Sequence, residues 1–302
     1  MKKFFSILLL SFLIIDIANA QNDIMFSHYM FNENIFNPAM SGSTPNIETA
    51  IVARQQWVGF DNAPSTQMIK GHAYLDQVMG GVGLSIINDR IGYESALNLK
   101  LSYAYFLKLN DKSKLSFGLG FGFINKSVQG SKLTYDEVDD PYAITTDSKA
   151  FRADFDFGVA FNSKNFSTGL SVTHLSQSLK KSSLLKVPRN FYFFIKNVMN
   201  VNEKIDVIPS MVVRSSIYIT QFDLNAILYY DKKFYGGIGY RLNDALIGTI
   251  GVNITKDIKF GYSYDFGVGA VKTHSGGTHE IMLTAAFKGL SKESNRTPSF
   301  LY

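Results

Sequence analysis

Apolar and polar residues alternate with a period of two along most of this chain, which is the pattern of β-strands with two unlike faces. Between Leu97 and Leu107 the odd positions read Leu97, Leu99, Leu101, Tyr103, Tyr105 and Leu107, with Asn98, Lys100 and Ser102 between them. From Leu115 to Phe123 the odd positions are again apolar, and Ser116, Gly118, Gly120 and Gly122 fill the gaps. The run from Phe151 to Phe161 sets Arg152, Asp154 and Asp156 on the face opposite its aromatics. The run from Ile258 to Asp265 does the same with Lys259, Gly261 and Ser263. Marking every such run predicts roughly 14 strands, at 46–57, 65–75, 80–88, 95–108, 113–127, 150–161, 166–174, 189–199, 206–217, 220–230, 233–241, 244–254, 257–265 and 278–288. No segment with a helical period competes with them.

A soluble β-sandwich also alternates, so the connectors decide. If the first strand runs outward from the periplasm, every second connector is a short periplasmic turn and the others are free to be long. The turns at 76–79, 109–112, 162–165, 200–205, 231–232 and 255–256 are all short, whereas the longest connectors, 129–149, 175–188 and 266–277, all fall in the outer set. This parity predicts a single antiparallel transmembrane β-barrel, an all-β fold. Closure removes every strand edge and lets backbone amides sit in hydrocarbon fully hydrogen-bonded. A barrel of about 14 strands has a lumen too wide for wall side chains alone to fill easily. Residues 21–45, rich in aromatics and Asn but without a strand pattern, are the expected lid or plug.

The N-terminus supplies the export route. Lys2 and Lys3 precede an apolar run from Phe4 to Ile15, and Ala18-Asn19-Ala20 follows, as in a secretory signal peptide cleaved after Ala20. The apolar run is shorter than the about 20 residues a spanning helix needs. The expected organisation is therefore a signal peptide at 1–20, a lid or plug at 21–45, a barrel at 46–288 and a periplasmic tail at 289–302. Removing residues 1–20 leaves 28 basic and 24 acidic residues, a net charge of +4 spread along the chain. No basic stripe of the kind that binds nucleic acid results. The absence of cysteine excludes a lipoprotein anchor, disulfides, and thiolate-based metal or catalytic sites.

Few residues suggest chemistry. Asp265, His279 and Glu280 flank the connector 266–277, but His279 and Glu280 are adjacent strand residues and point to opposite faces. That argues for a polar network and against an acid–base pair, so no enzyme is expected. His274 and His279 lie across a Gly-rich stretch and not on one helical face, so they do not form a zinc site. Gly118, Gly120, Gly122, Gly237 and Gly239 sit inside strands and open no helix, so phosphate binding lacks its basis and no cofactor is expected. Small residues facing a crowded lumen explain them. Lys180, Lys181 and Lys186 in an outer loop, near Arg189, suit lipopolysaccharide phosphates or an acidic partner, and suit an ordinary solvated loop equally. The tail, ending Phe300-Leu301-Tyr302, would hang in the periplasm.

A family resemblance runs through the whole mature chain in order. It begins with Tyr29 in Phe26-Ser27-His28-Tyr29-Met30-Phe31-Asn32, then Asn37-Pro38 and Gly42, and continues with Arg54, Gln56, Trp57 and Gly59. Asp89, His174, Arg241, Asp244, Tyr262-Ser263-Tyr264-Asp265 and His279-Glu280 complete it. The chain resembles the PorP/SprF proteins of the type IX secretion system of Bacteroidota. His28 departs from the Gln usual in the family's opening motif, with consequences for local hydrogen bonding only.

The resemblance implies an outer-membrane, non-enzymatic component that exports or retains surface proteins carrying type IX C-terminal signal domains, gliding adhesins among them. The expected partners are outer-membrane lipids with lipopolysaccharide, the C-terminal domain of a secreted surface protein, and periplasmic secretion components. Two alternatives stay open: a pore for small solutes, suggested by the polar lumenal face, or a structural link to periplasmic secretion and motility machinery through the tail at 288–302.

Overall fold

The computed structural model describes residues 23–135, 145–176, 187–217, 219–268 and 275–290. The residues assigned above to the signal peptide, the basic cluster Lys180, Lys181 and Lys186, and tail residues 291–302 lie outside them. The alternating runs form β1 (Ile47–Gln55), β2 (Ser65–Leu75), β3 (Gly80–Ile91), β4 (Glu94–Asn110), β5 (Ser113–Val128), β6 (Ser148–Ser163), β7 (Phe166–Thr173) and β8 (Asn190–Asn197). There follow β9 (Met199–Asn200), β10 (Ile205–Ser216), β11 (Thr220–Tyr230), β12 (Phe234–Arg241), β13 (Ala245–Asn253), β14 (Ile258–Gly267) and β15 (Thr278–Phe287).

Neighbouring strands pair antiparallel in chain order, and β1 pairs with β15 as well as with β2, so the sheet closes on itself. The closing register runs from Ile47 opposite Phe287 to Gln55 opposite His279. Fourteen strands make the wall, with β9 as a short continuation of β8. The expected single strand at 189–199 is thus interrupted. The register on β10 does not shift across the break, since Lys196 faces Ser210 and Met199 faces Val207. The gap falls opposite Pro209, which has no N–H to donate to a ladder.

Alternation becomes two faces. On β5, Phe117, Leu119 and Phe121 are exposed to the surroundings, whereas Ser116, Gly118 and Gly120 are buried inside. Seen from outside, Leu101, Leu170, Leu224, Ile238 and Ile250 continue an apolar surface around the wall. Among the described residues no helix is long and apolar enough to cross a membrane. The strands themselves provide the crossing.

The core of the molecule is its lumen. Met25, Tyr29, Met30 and Phe36, from the segment before β1, pack with Tyr192, Phe194, Ile208 and Tyr229 of the wall. Phe26 joins a second cluster with Val52, Met68 and Met282.

Candidate functional site

The segment ahead of β1 contains three single-turn 3-10 helices, Tyr29–Phe31, Glu33–Ile35 and Pro38–Met40. Asn37 starts the third: its side chain accepts the Ala39 N–H at 3.0 Å, and Pro38 supplies a residue with no amide to satisfy. The Asn37 amide then donates to the carbonyls of Val159 (3.2 Å) and Leu170 (3.3 Å), cross-strand partners on β6 and β7. Glycines make room for this approach. A Cβ on Gly118 would collide with the Ala39 backbone, and one on Gly158 with the Asn37 side-chain oxygen. Gly42, with φ of +66°, lies against Gly81 in the same manner.

Towards the Gln55 end of β1, the segment enters an ionic network. Glu280 on β15 accepts the backbone N–H of Ser27 (2.8 Å) and of His28 (2.9 Å). Its Oε1 also meets the His28 ring Nδ1 at 2.8 Å. Arg54 on β1 reaches Glu280 at 3.0 Å, Asp265 at 2.8 Å and the Ser27 hydroxyl at 2.9 Å. The Ser27 hydroxyl donates onward to Asp265 at 2.7 Å. Arg241 extends the set, at 3.2 Å from Asp265, 2.8 Å from Asp223 and 3.5 Å from Asp244. Arg54, Asp265, Arg241 and Glu280 are all buried. Charges so removed from water persist only when paired and hydrogen-bonded.

A second cluster holds the start of the described chain. His174, just past β7 with φ of +59°, places its ring between Asp154 (2.7 Å) and Asp23 (3.1 Å). The Tyr192 hydroxyl donates to Asp23 at 2.9 Å, and Arg214 donates to the Asp23 carbonyl. Lys100 pairs with Asp156. Burial opposes charge on His174, but the Asp23 carboxylate and the bonds to Asp154 and Asp23 outweigh it and lift the ring to about 10. Burial likewise opposes charge on Asp23, and the neighbouring His174 overcomes it, holding the carboxyl well below its usual range.

The residues singled out from the sequence divide between three places. Tyr29, Asn37, Pro38, Gly42, Arg54, His174, Arg241, Asp265 and Glu280 come together inside the barrel, where Tyr29 meets the Ser210 hydroxyl at 3.1 Å. Asp89 is half-buried on the inner face and accepts the Thr66 hydroxyl at 2.6 Å. Gln56, Trp57 and Gly59 form the connector after β1, with Trp57 exposed and Val58 donating to the Gly277 carbonyl at 2.9 Å. Tyr262, Tyr264 and His279 face outward, the Tyr262 hydroxyl 2.7 Å from His279 Nδ1. Asp265 and Glu280 therefore work with Arg54 and His28, not with His279. Sequence reasoning gave no site role to Ser27, His28, Asp23, Asp154 or Asp223. The inward parity of Asp154 was legible, but nothing local marked the partners that come from residues 23–28.

This arrangement defines a transmembrane β-barrel whose inner wall is bonded to a segment of its own chain. The chain belongs to the type IX secretion system membrane proteins PorP/SprF, the family whose sequence pattern matches residues 18–285. It is an outer-membrane protein of that system. No curated protein is significantly similar to it. Among solved structures, the CymD monoaromatic hydrocarbon channel shares the barrel fold with a TM-score of 0.50 and 10% identity, covering 85% of this chain and 91% of CymD. The Acinetobacter baumannii outer membrane protein Omp33 aligns at a TM-score of 0.48 and 12% identity over 80% of this chain and 98% of its own.

Proposed function

We propose that this barrel is a substrate-specific accessory or surface anchor in type IX secretion, holding the C-terminal domain of a cognate secreted protein, such as a gliding adhesin, at the outer face. The observation that carries this reading is the occupied lumen. Residues 23–45 are fixed from the outer strand ends, at Asp23, to the periplasmic ends, where Gly42 donates to His72 at 3.2 Å. On this reading residues 21–45 are a resident plug, and recognition falls to the outer connectors, including Trp57 and the basic loop with Lys180, Lys181 and Lys186. A solute pore needs a continuous aqueous path, which such a plug obstructs.

The test is deletion of the gene followed by a census of surface proteins that carry type IX signal domains. Loss of one of them from the surface, and its co-purification with the barrel, are the expected results. Undisturbed display of all of them would reject the proposal.

A further inference from the structure

Between the lumenal segment and the inner faces of β3, β4 and β5 lies a cavity of about 140 Å³. That is close to the ~150 Å³ of an engineered apolar cavity able to hold benzene. The apolar part of its lining is Ile24, Ile35, Ile87, Ile124 and, at one end, half-exposed Val187 and Pro188. Two acceptors face into this apolar space. The Asp89 carboxylate accepts the Thr66 hydroxyl and the Arg90 backbone N–H, and forms no ion pair among the described residues. The side-chain oxygen of Asn98 is buried and has no hydrogen-bond partner among them.

The other charged groups of the lining are engaged. Lys126 pairs with Glu94 at 3.0 Å, Lys100 with Asp156, and His174 with Asp23 and Asp154. A buried or half-buried carboxylate lacking a cation, beside an orphaned carbonyl oxygen, is costly unless a donor arrives from outside. Apolar sides ending in two acceptors match one chemical shape, a methylene stem with a cationic donor head.

We propose that this cavity is a binding site for an alkylguanidinium or alkylammonium group, supplied by an arginine or lysine side chain of the protein docked on the outer face. The head bonds to Asp89 and Asn98, and the stem lies along Ile87 and Ile124. The source of the cation rests on the anchoring function proposed above; the chemistry of the site does not.

The probe is n-propylguanidinium, which has the heavy atoms of an arginine side chain, titrated calorimetrically at low salt into the full-length barrel in detergent. Neutral n-propylurea is the control. Saturable binding of the cation, at least tenfold weaker for the urea and for Asp89→Asn, is the expected result. An Ile124→Phe variant, which fills the cavity and leaves Asp89 in place, should also lose it. Equal binding of both probes, no binding to the wild type, or an unaffected Asp89→Asn variant would overturn the site. If Asp89→Asn loses the small cation yet captures the surface protein as well as wild type does, the protein source is overturned while the anchoring function stands. If gene deletion changes no surface display, the anchoring function fails, and the titration still reports on the site.

Discussion

His28 and Glu280, 252 positions apart, meet twice inside the barrel: the backbone N–H and the ring Nδ1 of His28 both lie within 2.9 Å of Glu280 Oε1. Glu280 is fully buried and also accepts Ser27 and Arg54. One carboxylate on the last strand thus joins the lumenal segment to the first strand. Replacing it by Ala leaves Arg54 short of a counter-ion and two backbone donors unsatisfied, at a cost of about 3–5 kcal/mol. Glu280→Gln, which keeps an acceptor, should cost less. Thermal unfolding followed by electrophoretic mobility would measure both, and equal stability of Glu280→Ala and wild type would refute the role assigned to the pair.

The glycine cradle under Asn37 makes a positional prediction. Gly158→Val puts carbon atoms where the Asn37 side chain sits and should displace residues 37–39 from the wall, exposing the segment to added protease. At Gly236 a Cβ meets only the Thr249 carbonyl, at 3.7 Å, so Gly236→Ala should leave the proteolysis rate unchanged. Comparable protection of the Gly158 variant and wild type would contradict the packing described.

Removing the lumenal segment should open the barrel. In planar bilayers the full-length protein is expected to show little conductance, and a variant lacking residues 23–40 is expected to show stable ion conductance. Large, steady conductance from the intact protein would favour the solute-pore alternative instead.

The His174 latch should depend on pH with a definite sign. Its folded value of about 10 exceeds the unfolded value near 6.5, so its contribution is complete below about 6.5 and disappears as pH climbs through about 10. Asp23 is shifted downward, so its contribution is present above about 4 and is lost on strong acidification. The melting temperature of wild type should therefore fall more steeply between pH 7 and pH 11 than that of His174→Asn. Parallel curves for the two proteins would show that the His174 charge is not linked to folding.

The outward face predicts a depth-dependent penalty. Leu119, exposed in the middle of β5, should tolerate Ile but lose about 2–4 kcal/mol on replacement by Arg near the bilayer midplane. Refolding into lipid vesicles with urea titration would give the figure. A negligible difference would place that face away from hydrocarbon.

Strands were the legible part, because lipid on one side and a packed lumen on the other force a period of two that local sequence must carry. The β2 and β11 boundaries, Ser65–Leu75 and Thr220–Tyr230, follow from it directly. The break at Val198 did not, since its cause, Pro209, lies on the neighbouring strand. The lumenal contacts were illegible for the same reason on a larger scale. Asn37 and Pro38 stood out only through the family resemblance, and the acceptors of the Asn37 amide, Val159 and Leu170, are chosen by closure of the barrel. His28 looked like a substitution of purely local effect, yet its partner is Glu280. Parity separated His279 from Glu280 without indicating that Arg54 would stand between Glu280 and Asp265.

The direction of the lumenal segment has a consequence for how the molecule comes into being. From Asp23 beside His174 to Gly42 beside His72, it travels from the outer strand ends down to the start of β1. The earliest-made part of the described chain therefore lies at the barrel end away from the start of β1, and its anchors Asp265 and Glu280 come 238 and 253 positions after Ser27. Such long sequence separations slow folding, because loop entropy is lost before any contact is gained. Closing of β1 on β15 also delivers Glu280 to Ser27 and His28, so a chain shortened before Thr278 would lack both the seam and that part of the hold on its own beginning.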